Sequence, residues 1–101
     1  MKNTLFALPL VLALLSGAAL AEVISAKYAG AIDLSSYSCQ STASSFLHRA
    51  CYNRSEQTLV LLLKSTYYKY CSVPDSVSDG LLSASSKGSY FNSYIKGRYD
   101  C

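Results

Sequence analysis

The sequence has no tryptophan and a single histidine, His48. Of its four cysteines, no two stand at the C-x2-4-C spacing of a metal site, and His48 is not placed to complete one. A glycine-rich phosphate loop and a G-x-S-x-G segment are both missing, and serines are so frequent that a Ser–His pairing carries no information. These absences argue against zinc, phosphate-loop and hydrolase chemistry, so no catalytic residue, metal or cofactor is assigned. A strong excess of one charge is missing too. Nine Lys and Arg stand against six Asp and Glu, a net +3 that is too mild to imply nucleic acid by itself.

A hydrophobic run long enough to span a bilayer is also lacking. The apolar stretch LFALPLVLALL, Leu5 to Leu15, is shorter than the roughly 20 residues a spanning helix needs. Met1-Lys2 gives it a positive start, Ser16-Gly17 breaks it, and Ala19-Leu20-Ala21 follows with small residues at the cleavage positions. This is the pattern of a secretory signal peptide over residues 1–21, cut between Ala21 and Glu22. No cysteine lies near that junction, which argues against a lipid anchor. The expected product is a periplasmic or secreted protein with no stable membrane anchor after cleavage.

Loss of Lys2 takes the net charge from +3 to +2. All four cysteines, Cys39, Cys51, Cys71 and Cys101, remain. An even number in a short exported chain reads as disulfides, each worth roughly 2–4 kcal/mol in so small a domain. Oxidation also removes any thiol nucleophile.

Residues 22–43 show no strong period and read as an N-terminal extension. EVISAKYAGAIDL has room for a short strand or a turn of helix, and SSYSCQSTASS is loop-like. The pattern sharpens after Ser44. Phe46–Tyr52, Thr58–Lys64 and Tyr67–Val73 are apolar, β-branched or aromatic segments of strand length. The polar stretch 53–57 and Ser65-Thr66 separate them. They predict a three-stranded antiparallel meander. Pro74 then suits a helix start, Asp75 and Asp79 favour its N-terminal end, and Val77, Leu81 and Leu82 recur at helical spacing. Residues 85–88 break this helix. Ser89–Ile95 predicts a second one with an apolar stripe of Tyr90, Phe91, Tyr94 and Ile95, ended by Gly97. The fold class is α+β.

Pairing Lys64 with Tyr67 across a two-residue turn sets Leu63 opposite Tyr68 and Leu61 opposite Tyr70. Leu59, Leu61, Leu63, Tyr68 and Tyr70 then share one side, expected to lie under the helices. Val60, Leu62, Lys69, Cys51 and Cys71 share the other, where the extension is expected to lie, pinned by Cys39. Cys51 and Cys71 would stand two strand spacings apart, about 9.6 Å, beyond the roughly 7 Å a disulfide spans. Two maps stay open: Cys39–Cys51 with Cys71–Cys101, or Cys39–Cys71 with Cys51–Cys101. Lys87 and the Lys96-Gly97-Arg98 segment fall at the two ends of the second helix. With Tyr90 and Tyr99 nearby, they suit an anion. The competing reading is plain helix capping, with Ser86 starting the helix and Gly97 stopping it.

From about Ser44 to Tyr99 the chain resembles the KTSC domain, a small domain found at the C-terminus of some lysyl-tRNA synthetases and alone in small bacterial proteins. The resemblance rests on Ser44-Ser45, Tyr52, Thr58-Leu59, the Y-x-Y of Tyr68-Lys69-Tyr70, Val73-Pro74, Ser86-Lys87-Gly88, Tyr90-Phe91-Asn92 and Ile95-Lys96-Gly97-Arg98-Tyr99. Cys51 stands where a glycine is common in the family, and Cys71 where an aromatic is common. The resemblance implies a non-enzymatic binding module with single-stranded RNA, or another anionic ligand, as its partner. Tyr68, Tyr70, Lys87, Tyr90, Lys96, Arg98 and Tyr99 are its candidate contacts. The alternatives are an exported protein that binds another protein or envelope component through its aromatic surface, and a disulfide-stabilised structural envelope protein with no nucleic-acid role.

Overall fold

The computed structural model describes residues 21–101. The signal-peptide expectation falls on residues 1–21 and so, but for Ala21, lies outside them.

The predicted meander is present as β4 (Leu47–Asn53), β5 (Thr58–Leu63) and β6 (Thr66–Tyr70), each antiparallel to the next. The sheet, however, has six strands. The extension supplies β1 (Val23–Lys27), β2 (Gly30–Asp33) and β3 (Ser38–Ser41), giving the order β2-β1-β6-β5-β4-β3. β1 lies parallel to β6 and β3 antiparallel to β4, so the extension adds strands to both edges of the meander. These strands are four or five residues long, and only Ala26 and Ile32 are buried within them. That is too little alternation to stand out in the sequence.

The link from β2 to β3 shapes the whole sheet. Flat, its outer strands would lie about 24 Å apart, at about 4.8 Å per spacing. Only Leu34–Tyr37 separate the two strands, and Leu34–Ser36 form a 3-10 turn. Such a link reaches at most about 18 Å, so the sheet must curl. Its inner face then encloses Ala26, Ile32, Leu34, Cys51 and Val60, with Ile24, Tyr37, Cys39 and Tyr67 packed against them. The extension therefore covers the Val60 face as expected, by curling the sheet around it. Across the inner face, Tyr37 Oη and Thr58 Oγ1 lie 2.9 Å apart.

The outer face carries Leu47, Ala50, Tyr52, Leu59, Leu61, Leu63 and Tyr70. It packs under α1 (Asp75–Ser83) and α2 (Lys87–Tyr94) through Leu81, Phe91 and Ile95. The β5–β6 register is two residues from the expected one: Leu61 faces Tyr68 and Leu59 faces Tyr70. The turn is Lys64-Ser65, with Lys64 in the left-handed region at φ 58°. A shift of two preserves sidedness, so the apolar residues stay on the expected face. Helix α2 begins at Lys87, two residues before the expected start, because the Ser86 side chain accepts the Ser89 N–H.

Both disulfides follow the first of the two maps. Cys39 and Cys51 are direct cross-strand partners with Cα atoms 4.0 Å apart. Cys71, beyond the end of β6, joins Cys101, with Cα atoms 4.9 Å apart. This second bridge closes a loop that contains both helices.

A bulge in β4 falls at His48. It leaves Leu47 on the helix-covered face and turns Arg49 to the inner one. There the Arg49 guanidinium donates to both carboxylate oxygens of Glu22, at 2.6 and 2.8 Å, and to Tyr67 Oη at 3.0 Å. Arg49 holds the Glu22 carboxyl below its ordinary value of 4.5. Its contribution to stability is therefore in place above about pH 4.5 and is lost as pH falls through the lowered folded value. Glu22→Gln should flatten the acid limb of the stability–pH curve, measured by urea unfolding, and leave the neutral-to-alkaline limb unchanged in shape.

Gly80 marks the close approach of α1 and α2. A Cβ placed there would clash with the Tyr90 hydroxyl, which donates to the Val77 carbonyl. Gly→Ala in a helix interior ordinarily stabilises by roughly 0.5–1 kcal/mol. Here Gly80→Ala should instead destabilise by about 1–3 kcal/mol through overpacking, read as a lower denaturation midpoint.

Candidate functional site

Both sheet faces are covered, the outer by the helices and the inner by the curl. This limits what the expected contact residues present. Tyr70 is buried, its ring 6.0 Å from Phe91 in an edge-on arrangement. Tyr68, Tyr90 and Tyr99 are half-buried against the outer core. Tyr90 spends its hydroxyl on Val77, and its ring lies tilted against Tyr94 with centroids 4.7 Å apart. Lys87 donates its ammonium to the carbonyls of Leu82 and Ala84, at 3.1 and 2.7 Å, the free carbonyls at the end of α1. Lys96 and Arg98 are exposed at the end of α2, where Gly97 takes φ 74°. The structure thus sets Lys87 at one end of α2 and Lys96 with Arg98 at the other. Tyr68 and Tyr70 join a separate cluster.

That cluster is a cleft of about 370 Å³ where β1 ends beside β6. β1 pairs with β6 only at Tyr67 and Tyr68. Past that point the strand is flanked by the β1–β2 turn and by the tail, whose Asp100 bridges to Tyr70. Lys27, Tyr28, Tyr68, Lys69, Tyr70 and Asp100 line the cleft. Tyr28 is 92% exposed and sits at φ 67°, an uncommon conformation for a residue with a side chain. The Lys27 ammonium lies 5.3 Å from its ring centroid. The turn therefore presents a bare aromatic ring flanked by a cation, beside a second lysine and a half-buried tyrosine. Such a set suits a flat, electron-rich or anionic ligand, with a π-face to stack on and ammonium groups to meet charge.

Sequence reasoning placed Tyr68 and Tyr70 among the contacts and missed Lys27, Tyr28 and Lys69. The signal for a hairpin was present: Ile24 and Ala26 alternate before the turn, Ile32 follows it, and Gly30 takes φ 75°. Tyr28 at the tip follows from that hairpin.

Burial, and then the Asp100 carboxylate, push the Tyr70 phenol up to about 12; burial, and then the hydrogen bond to Asp75, do the same for Tyr52. Both are raised from 10.0, so the stability of their protonated forms is complete below about pH 10 and is lost as pH rises through about 12. An alkaline titration of phenolate absorbance should show Tyr52 and Tyr70 ionising near pH 12, coincident with unfolding. Tyr70→Phe should remove one of those late steps.

Three similarities to known proteins stand beside this geometry. The KTSC domain family model matches residues 43–99, more than half of the chain. The lysine–tRNA ligase of Nostoc punctiforme is 43% identical over 49 residues, covering 48% of this chain. The match spans 9% of that ligase's length. The crystal structure of a KTSC domain protein from Yersinia pestis superposes with a TM-score of 0.60 at 28% identity, covering 62% of this chain and 90% of that one.

Proposed function

From the chain's membership of the KTSC domain family, to which it belongs, we propose that it is a small exported binding module that takes single-stranded nucleic acid at the Tyr28 cleft. The observation that carries this reading is the exposed Tyr28 ring, held in a left-handed turn with Lys27 beside it and Lys69 lining the same cleft. One base stacks on Tyr28, and Lys27 and Lys69 meet the flanking phosphates. Lys96 and Arg98, exposed beyond α2, extend the basic surface for a longer strand. The Nostoc punctiforme relative is a lysine–tRNA ligase, which is consistent with a nucleic-acid ligand. With both sheet faces covered among the described residues, the cleft at the strand ends is where the ligand is accommodated.

Export rests on the leader-like residues 1–21 and on the two disulfides, which are compatible with an oxidising compartment such as the periplasm or the exterior. No helix among the described residues is long and apolar enough to cross a membrane.

The test is fluorescence anisotropy of oxidised residues 22–101 with labelled single-stranded RNA and DNA across a salt series. Binding should weaken with salt, and Tyr28→Ala should cost at least about fivefold, the lower bound for one stacked base. Lys69→Ala should reduce the slope of log affinity against log salt by about 0.7. No binding at tens of micromolar in low salt sinks this reading and moves the search to an envelope protein partner.

A further inference from the structure

The two disulfides stand beside two different clefts. Ser38 and Gln40, the neighbours of Cys39, line a second cleft of about 430 Å³ between the extension and the family domain, with Ser36, Asn53, Arg54 and Ser78; neither cysteine of that bridge lines it. Cys71–Cys101 belongs to the Tyr28 cleft itself. Asp100 and Cys101 form part of its lining, with Lys27, Tyr28 and Lys69, and Cys101 Sγ lies 3.6 Å from the Lys69 carbonyl oxygen.

The bridges differ in how readily a reductant reaches them. Cys51 is 0% exposed, and Cys39 packs with it against the inner core. Cys101 is exposed and Cys71 half-buried. Exchange begins when a thiolate reaches one sulfur of the disulfide, so the bridge with an exposed sulfur opens first. The bridges also differ in what remains once they are cut. Cys39 and Cys51 face each other within the β3–β4 ladder, which keeps those strands paired. The segment after α2 is anchored by Tyr99, which packs against the outer core and accepts the Cys71 N–H at 2.8 Å. Beyond Tyr99, the isolated β-bridge from Tyr70 to Asp100 is what accompanies the disulfide, and Asp100 and Cys101 are both exposed.

Opening the bridge therefore changes the cleft's wall and its charge. Lys27 and Tyr28 in the β1–β2 turn and Lys69 in β6 stay where they are. Asp100 is the part that leaves. Its carboxylate helps push up the Tyr70 phenol, so its charge acts inside the cleft. With Asp100 in place, the lining carries two ammonium groups and one carboxylate; without it, the two ammonium groups stand alone beside the Tyr28 ring.

We propose that Cys71–Cys101 is a redox switch for the Tyr28 cleft: a dithiol opens this bridge ahead of the other, frees Asp100 and Cys101, and leaves an open basic shelf that holds an anion more tightly. One thiolate of the dithiol attacks Cys101 Sγ, the S–S bond breaks, and Cys71 leaves as a thiolate that takes up a proton. The second thiol then attacks the mixed disulfide and releases Cys101 as a thiol. The protein gains two electrons and two protons, and the dithiol ends as a disulfide. The gain in affinity rests on the nucleic-acid reading above; the release of the segment does not.

The experiment is a dithiothreitol titration of oxidised residues 22–101, followed by thiol alkylation with peptide mapping and by amide-resolved NMR. Cys71 and Cys101 should be alkylated together at a dithiothreitol concentration roughly tenfold below that needed for Cys39 and Cys51. At that point the Asp100 and Cys101 amides should take disordered positions, the Tyr28 and Lys69 amides should shift, and those of Val60 and Leu61 should stay. Affinity for labelled single-stranded RNA should rise roughly two- to fivefold, the size of one surface charge pair. Cys71→Ser combined with Cys101→Ser should bind like the reduced protein, and Asp100→Asn should give the same rise with both bridges intact. The switch is overturned if Cys39–Cys51 opens first or alongside, if the Asp100 amide keeps its position after reduction, or if selective reduction unfolds the whole domain. It is also overturned if RNA binds the oxidised, reduced and Asp100→Asn proteins equally. Binding by none of them removes the nucleic-acid reading instead, and alkylation order and amide positions then decide the switch.

Discussion

The structure depends on a distance that the chain cannot span. β2 and β3 occupy opposite edges of a six-stranded sheet, yet Leu34–Tyr37 are all that join them. The sheet has to curl until its edges come within reach, and that closure creates an inner core separate from the one under the helices. Leu34 and Tyr37, the residues of the link, point into the space they close. Arg49 secures it at the surface by joining Glu22, ahead of β1, to β4. The β-bulge at His48 makes that possible, because without it Arg49 and Leu47 would share a face.

Closing the sheet decides where ligands can go. A flat antiparallel meander with helices on one side offers its other side as a platform; this one does not. What remains are the rims, and both rim clefts take one wall from residues that precede the stretch matched to the KTSC family. Lys27 and Tyr28 supply that wall in one cleft, and Ser36, Ser38 and Gln40 in the other. The family domain supplies the opposite walls, Tyr68–Tyr70 in the first and Asn53, Arg54 and Ser78 in the second. One wall of each rim cleft is therefore built by the extension.

The meander, its sidedness and the two helices were legible in the sequence because each has a strong physical signature. Leu59, Leu61 and Leu63 alternate, Pro74 and Asp75 mark a helix start, and Gly97 marks a stop. Sidedness survived a two-residue error in the hairpin, since the period of a strand is two. The turn type was not legible, because Lys64 at positive φ carries no glycine or asparagine to announce it. The strands of the extension were hidden for a different reason: they are short, and the exposed edge strands β2 and β3 let Ala31 and Ser38 stand where longer strands would show β-branched residues. Lys87 shows the limit of reading charge from sequence. Its spacing suited an anion, and its ammonium is instead spent on the carbonyl end of the preceding helix.

The disulfide map has a consequence for how the protein is made. Cysteines pair in the order in which they occur, Cys39 with Cys51 and Cys71 with Cys101. In a chain that enters an oxidising space N-terminus first, Cys51 and Cys101 each emerge when the only unpaired predecessor is the native partner. Simple oxidation on emergence then yields the native bonds, and the chain has no need of an enzyme that reshuffles wrong ones. In sequence, the first bond ties the extension to β4, and the second spans both helices.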